Sequence, residues 1–429
     1  MKKNNNYHQL IPVKVLKNFH WIAATISSKI NGYSDDNLKE VISIVSCHIH
    51  KEKETAQLQI EYIKKLVPQG DKYLHELREL KIIQRSGRYI KGESSYEYSF
   101  TAPYQSEYRS LLLTNHKLIE RIKQTQIKRK RESKKAIWGR SEQITHLLSM
   151  TIADGYQDHL DSFYTDSINK FNCAQSSVIR IQNNDIFYTI DKTAGRFHSN
   201  VTNMPKAIRR FLRVIGEPMV GIDLKNSQPY ISTLLLTNPT KASCMTKNPE
   251  LKLLLQNLKV YNTHDVRKYI DLVNSGKLYE FLIDEFIKEG IELPEELEKR
   301  RRYVKNQVLR ILFAKNKMPK NEINRKARQI FINRFPRVHF IFSKIRGNLK
   351  GDHFMGYQRF AILLQSIEAH IMLDIILKRI SKELPGTIAI TIHDSILTGL
   401  YTNNVEEVAQ IMREEFTKFV GFTPVLKID

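Results

Sequence analysis

Two acids stand where the chain leaves apolar runs of strand type. Asp223 follows Pro218-Met219-Val220-Gly221-Ile222, and Asp394 follows Thr387-Ile388-Ala389-Ile390-Thr391-Ile392-His393. An acid at the exit of a buried strand needs a cation, a metal or water, because an unpaired charge is costly in an apolar interior. Two such strands can set their carboxylates side by side. Like charges that close favour divalent cations, and a pair of metals a few Å apart is a device for phosphoryl transfer. Between the two acids, Arg301, Lys305, Leu309 and Phe313 recur at a spacing of four, on one face of a helical stretch from Glu295 to Phe313. An arginine and a lysine one turn apart suit a triphosphate, since they reach adjacent phosphates and neutralise a leaving pyrophosphate. In isolation the same pair reads as a solvated helix face.

The elements that must position these groups are mostly helical. A second apolar run, Ile231 to Leu236, follows Asp223 and Pro229. Ala327 to Arg346 holds Phe331, Phe335 and Phe340, which read as core, with Pro336 breaking the first helix. Tyr357 to Arg379 reads as a helix carrying Arg359, Gln365, Glu368 and His370, the last two as structural or surface residues. Val405 to Val420 is a further helix and Phe422 to Ile428 a closing strand. Upstream, residues from Ser141 to Asp191 read as helical, then extended near Val178–Ile181 and Ile186–Ile190.

The N-terminal part has its own pattern. Helical spacing runs over Asn37–His50 and Thr55–Leu66, and a third helix begins at Asp71 as its N-cap. Two strands, Ile82–Tyr89 and Ser94–Phe100, turn about Gly92. The order helix, helix, hairpin, with Arg85, Arg88 and Lys91 on the hairpin, resembles a winged helix-turn-helix. That resemblance implies a helix for the major groove and a wing for phosphates; a protein-binding winged helix is the alternative. Lys117 to Arg140 is then densely basic, including Lys128, Arg129, Lys130, Arg131, Lys134 and Lys135, which favours sequence-independent phosphate contact.

Composition narrows the class of protein. A net charge of +23 points to a polyanionic partner, and nucleic acid outweighs membrane because no lipid-binding amphipathic segment stands out. No apolar run is long enough to cross a bilayer, and Met1-Lys2-Lys3-Asn4-Asn5-Asn6 lacks a secretory signal, so a cytoplasmic location and no membrane partner are expected. Cys47, Cys173 and Cys244 are widely scattered and suggest neither a disulfide frame nor a zinc site.

The run from about Gly195 to Asp429 resembles the polymerase domain of the DNA polymerase I superfamily (family A), to which the single-subunit phage and mitochondrial RNA polymerases are related. The likeness is carried by ordered pieces: Gly195-Arg196-Phe197-His198-Ser199 with Asn203-Met204-Pro205, then the Asp223 segment. Ser275 to Leu282, the Arg301–Phe313 face, Phe331 to Val338, Gln365-Ser366-Ile367-Glu368-Ala369, and His393-Asp394 follow in the family order. It implies an α+β, mostly helical right hand, with a palm sheet and helical fingers and thumb, behind a winged-helix domain. The implied domains are a winged helix over 1–110, a basic thumb or linker over 111–190, and palm and fingers over 191–429.

What the resemblance implies for the site is specific. Asp223 and Asp394 would hold two magnesium ions. Arg301 and Lys305 would bind the triphosphate, with Leu309 or Phe313 against the incoming base; where the family has Tyr-Gly this chain has Phe313-Ala314, so the register is open by one turn. Arg196, Asn203 and Gln365 would contact template or primer, and His393 would orient the primer end or support Asp394. Gln228, five residues after Asp223, occupies the position of the family's gate against the ribose 2′-hydroxyl, and its bulk favours deoxynucleotides. Ser395 after Asp394 is instead the RNA polymerase form, and Pro229 departs from the family's aliphatic residue. The expected partners are a DNA primer-template, nucleoside triphosphates and a specific duplex site for the winged helix. The expected activity is that of a DNA polymerase of a phage, plasmid or mobile element without a proofreading exonuclease. Its alternatives are a single-subunit RNA polymerase, a template-independent nucleotidyltransferase, and a DNA-binding replication or regulatory protein with a non-catalytic polymerase-like scaffold.

Overall fold

The structure is a computed structural model of the 429-residue chain. It describes residues 7–50, 54–90, 95–136, 141–163, 167–347, 356–401 and 405–429, without the side chains of 129–136, 141 and 163. Lys91, Gly92, Ser94 and Arg140, and the side chains of Arg129, Lys130, Arg131, Lys134 and Lys135, therefore lie outside the described residues. The chain mixes helix and sheet, and it divides into two compact units. One is Met1–Thr189 with His198–Met219; the other is Ile190–Phe197 with Val220–Asp429.

In the first unit, β1 (Tyr7–Pro12) leads through α1 (Val13–Lys17) and α2 (Phe19–Ser27) to α3 (Asp35–His48). Ser34 caps α3 by accepting from the Asn37 N–H, and Asp35 and Asp36 occupy the first turn, where the helix dipole favours acids. Then come β2 (Ala56–Gln57), α4 (Ile60–Leu66), α5 (Gly70–Glu79), β3 (Ile83–Ser86) and β4 (Glu97–Phe100), with the strands in the order β2-β4-β3. The third helix thus starts at Gly70, capped by Gln69 in the left-handed region (φ 55°), and Asp71 falls in its first turn rather than at the cap. A Cβ at Gly70 would meet Ile63 Cγ2 at 2.7 Å, so a side chain there would force α4 and α5 apart.

β5 (Tyr108–Leu113) pairs antiparallel with β1, so the expected boundary near residue 110 cuts through a paired strand. The core of this unit runs from Tyr7 to Ile122 and takes in Ile179, and residues 111–189 belong to it. The basic stretch is helical as α6 (His116–Ala136). One of its cations, Arg121, donates to the carbonyls of Lys64 (2.9 Å) and Lys65 (3.0 Å), satisfying the end of α4. Next are α7 (Ser141–Leu148), β6 (Met150–Ile152), α8 (Tyr156–Phe163) and α9 (Ile168–Gln182). Val178–Ile181, expected to be extended, lies within α9; Val178, Ile179 and Ile181 are buried there at helical spacing, and packing of that face overrides their β-branched preference. β7 (Tyr188–Ile190) and β8 (Phe197–Ser199) bracket the short segment that belongs to the other unit. α10 (Asn200–Asn203), α11 (Lys206–Arg209) and β9 (Leu212–Val214) complete the first unit, with β9 between β6 and the first residues of β10 (Glu217–Leu224).

The second unit begins as β10 continues past Met219. α12 (Ser227–Thr237) turns off β10 at once, followed by α13 (Pro239–Ser243), α14 (Pro249–Gln256), α15 (His264–Asn274), α16 (Leu278–Lys288) and α17 (Leu297–Phe313). α18 (Glu322–Arg334) and α19 (Pro336–Ile345) divide at Pro336 as expected. Phe331 and Phe335 pack edge-on to Tyr269 in the core, but Phe340 is on the outside of α19 between Arg337 and Lys344, correcting its expected place in the core. α20 (Gly356–Ala369) continues as a π-helical turn, His370–Ile376, into α21 (Leu377–Glu383). This continuous helix is long and apolar enough to cross a membrane, contrary to expectation, because a few polar residues interrupt the apolar run without lowering its mean hydropathy far. More than half of its most apolar window is buried, as in a core helix. The hairpin β11 (Ala389–Ile392) and β12 (Ser395–Gly399), then α22 (Val405–Val420) and β13 (Leu426–Ile428), close the chain; β10 lies between β12 and β13.

Candidate active site

Asp223 and Asp394 are brought together in the second unit by sheet pairing. Asp223 is the penultimate residue of β10, opposite Lys427 of β13. Asp394 stands at the tip of the β11–β12 hairpin, whose last pair, Ile392–Ser395, leaves a loop of only His393 and Asp394. Such a loop needs a positive φ, and His393 supplies it at 54°. The Leu224 N–H donates to the Asp394 carbonyl at 3.3 Å, which joins the strand exit to the hairpin tip. Burial raises the Asp394 carboxyl above its usual range. A backbone hydrogen bond opposes this, the Asp223 charge adds to it, and Lys305 and Arg196 pull the other way. The two acids and these two cations therefore share one electrostatic neighbourhood.

A third carboxylate lies close by, on a residue expected to be structural or at the surface. Glu368 on α20 is 1% exposed and accepts from Arg196 Nη2 (2.5 Å), Ser227 Oγ (2.9 Å) and Gln228 Nε2 (2.6 Å). Burial pushes its carboxyl up to about 7, with Asp394 adding to the rise and Arg196 opposing it. Sequence held a signal for it: Phe360, Leu364 and Glu368 recur at a spacing of four along the apolar face of one helix, where a carboxylate demands donors. Asn226, just before, adopts a left-handed φ of 52°, is 7% exposed, and both polar atoms of its amide are buried without a partner.

Arg196 reaches Glu368 from a tight turn. The Asp191 carboxylate accepts the N–H groups of Thr193 (2.9 Å), Ala194 (2.6 Å) and Arg196 (2.9 Å). Lys305 is exposed on α17. Arg301, one turn earlier, pairs with Glu280 (3.3 Å), and its guanidinium carbon lies 5.9 Å from the Tyr279 ring centre. Burial raises the Tyr279 hydroxyl pKa, with Arg301 opposing and Asp394 contributing, so Tyr279 shares the field of both. The C-terminal end of α17 is held by Arg346, which donates to the Ile311 carbonyl at 2.6 Å. Leu309 and Phe313 line an apolar cavity of about 490 Å³ together with Pro319 and Asn324. Gln365, half-buried, precedes Glu368 by one turn on α20. Asn203 and Lys128 are exposed residues of the first unit, on α10 and α6.

No protein family and no curated protein matches the sequence. Among solved structures, the chain is similar to the POL domain of Pol1 from M. smegmatis in complex with DNA primer-template and dNTP. The similarity covers 72% of this chain and 65% of that one, at 14% sequence identity and a TM-score of 0.41.

Proposed function

We propose that the chain is a template-directed nucleotidyltransferase, a DNA polymerase of the family A type, with its reacting centre on Asp223 and Asp394. The observation that supports this reading is the main-chain hydrogen bond from Leu224, next to Asp223, to Asp394 at the hairpin tip, with Lys305 and Arg196 in the field of Asp394. The donors fit magnesium. Among the described residues no group of three or more metal-binding side chains gathers, so two carboxylates leave the other coordination positions to water and phosphate oxygens. Burial raises the Asp394 carboxyl and the Asp223 charge adds to the rise, a repulsion that a divalent cation would relieve. Magnesium held by Asp223 and Asp394 would supply Lewis acidity to an attacking hydroxyl and counter-charge to the phosphates.

The protein's own groups position the reaction. A primer 3′-oxygen bonds to the α-phosphorus, the bond to the bridging oxygen breaks, pyrophosphate leaves, and the hydroxyl proton passes to solvent. Lys305 neutralises the pyrophosphate, and Arg301 joins it by exchanging Glu280 for a phosphate. Leu309 and Phe313 offer apolar surface to the incoming base. Arg196 and Gln365 take primer or template, and His393 orients the primer end or supports Asp394. Gln228 occupies space a 2′-hydroxyl would need, which favours deoxynucleotides. A ribonucleotide product is the second reading, favoured by Ser395; that hydroxyl, however, donates to the Ile392 carbonyl at 3.0 Å and serves the hairpin.

In the first unit, the order α3-β2-α4-α5-β3-β4 with sheet order β2-β4-β3 supports the winged-helix reading, in which α5 and Arg85 bind a duplex. Lys128, Arg129, Lys130 and Arg131 on α6 are candidate phosphate-backbone contacts, and Asn203 on α10 is a candidate template or primer contact. Primer extension on DNA and RNA templates with each nucleotide set tests the whole reading. We expect magnesium-dependent incorporation of deoxynucleotides on a DNA template; no extension on any template contradicts it.

A further inference from the structure

We propose that Glu368 is a positioning residue that anchors the tip of Gln228, turning a flexible side chain into a rigid discriminator between deoxyribose and ribose. The inference rests on the polymerase reading above. Three segments far apart in sequence converge on this one carboxylate: the turn carrying Arg196, the first turn of α12 with Ser227 and Gln228, and α20. In its ionised form, which the Arg196 guanidinium favours, Glu368 only accepts, so it takes the amide nitrogen of Gln228, at 2.6 Å, and fixes which way that amide faces.

An unanchored glutamine would retain much of its rotamer freedom and could swing aside for a larger sugar. With its tip held by a buried carboxylate, which Ser227 and Arg196 hold in turn, Gln228 cannot yield without breaking a charge-assisted hydrogen bond. The amide oxygen of Gln228, the Nε of Arg196 and both polar atoms of Asn226 are buried without partners around the same place. The π-helical turn beginning at His370, two residues after Glu368, also fits this assignment, because such turns concentrate at functional sites.

The test compares binding of dATP and ATP to the full chain, and their incorporation on a DNA primer-template, in wild type, E368Q, Q228M and the double variant. Q228M keeps the bulk of the side chain and removes its anchor, so it serves even if E368Q does not fold, as thermal unfolding reports. We expect E368Q and Q228M each to lower the preference for dATP by about tenfold, with no further loss in the double variant. An unchanged preference in Q228M or in folded E368Q overturns the proposal, as does additivity in the double variant. So does a wild type that binds neither nucleotide or does not discriminate between them. If wild type extends primers while the variants keep its preference, the anchor fails and the polymerase reading stands. If the variants lose a binding preference but wild type never extends a primer, the polymerase reading fails and the anchor stands.

Discussion

The Leu224 N–H lies 3.3 Å from the Asp394 carbonyl, and that bond fixes the exit of β10 against the tip of the β11–β12 hairpin. The geometry of the aspartate pair is therefore a property of the sheet. Side-chain substitutions at the two acids should change charge and leave placement intact, which makes the chemistry separable from the fold.

Lys305 is the cation from α17 whose charge acts on Asp394. K305A should lower kcat/KM for nucleotide incorporation by at least ~10-fold, about 1.4 kcal/mol, because the lost charge acts on phosphates that gain charge in the transition state. R301A should cost less, since Arg301 must first leave Glu280. Steady-state kinetics on a primed template check both; R301A exceeding K305A would reverse the assigned roles.

Glu40 on α3 carries a pH dependence of stability in the first unit. Burial raises its carboxyl to about 7, although hydrogen bonds from Gln9 and Tyr7 lower it. A carboxyl held above its unfolded value of 4.5 binds extra proton in the folded state, so its contribution is fully present below that value and is lost as pH rises through about 7. The loss is at most ~3 kcal/mol on this shift. Thermal unfolding should show E40Q gaining on wild type between pH 5 and pH 8, roughly the window set by the linkage. Parallel pH profiles for the two proteins would remove Glu40 as the cause.

Removing residues 1–110 deletes β1 and half of β5, and strips the core that reaches Ile122 and Ile179. The remainder of the first unit should lose its protected amides. Hydrogen exchange on the shortened chain reads this directly, and native-like protection of α9 would mean that 111–189 folds without its neighbour.

The sequence was most legible where a local rule and the final packing agree. Apolar runs ending in Asp223 and Asp394 announce strand exits, Pro336 announces a helix break, and the helix Val405–Val420 has the bounds its apolar period predicts. Glu368 was harder to read, because its donors come from Arg196 and Ser227, which are 172 and 141 residues away. A contact of that range leaves no local pattern beyond an acid on an apolar face. The boundary near residue 110 was misplaced for a related reason: β1 and β5 pair across the whole intervening segment, and only register reveals it. Val178–Ile181 misled because β-branched residues favour strands until a helix face is buried around them.

The proposed function turns on Asp223 and Asp394 as the reacting centre. Single-turnover primer extension at saturating magnesium, with D223N and D394N beside wild type, tests it most directly. Asparagine keeps each side chain's shape, so unfolding midpoints and primer-template affinity should stay close to wild type. Incorporation should fall by at least ~10³-fold in either variant, about 4 kcal/mol of transition-state stabilisation. Incorporation at the wild-type rate in either folded variant would contradict it.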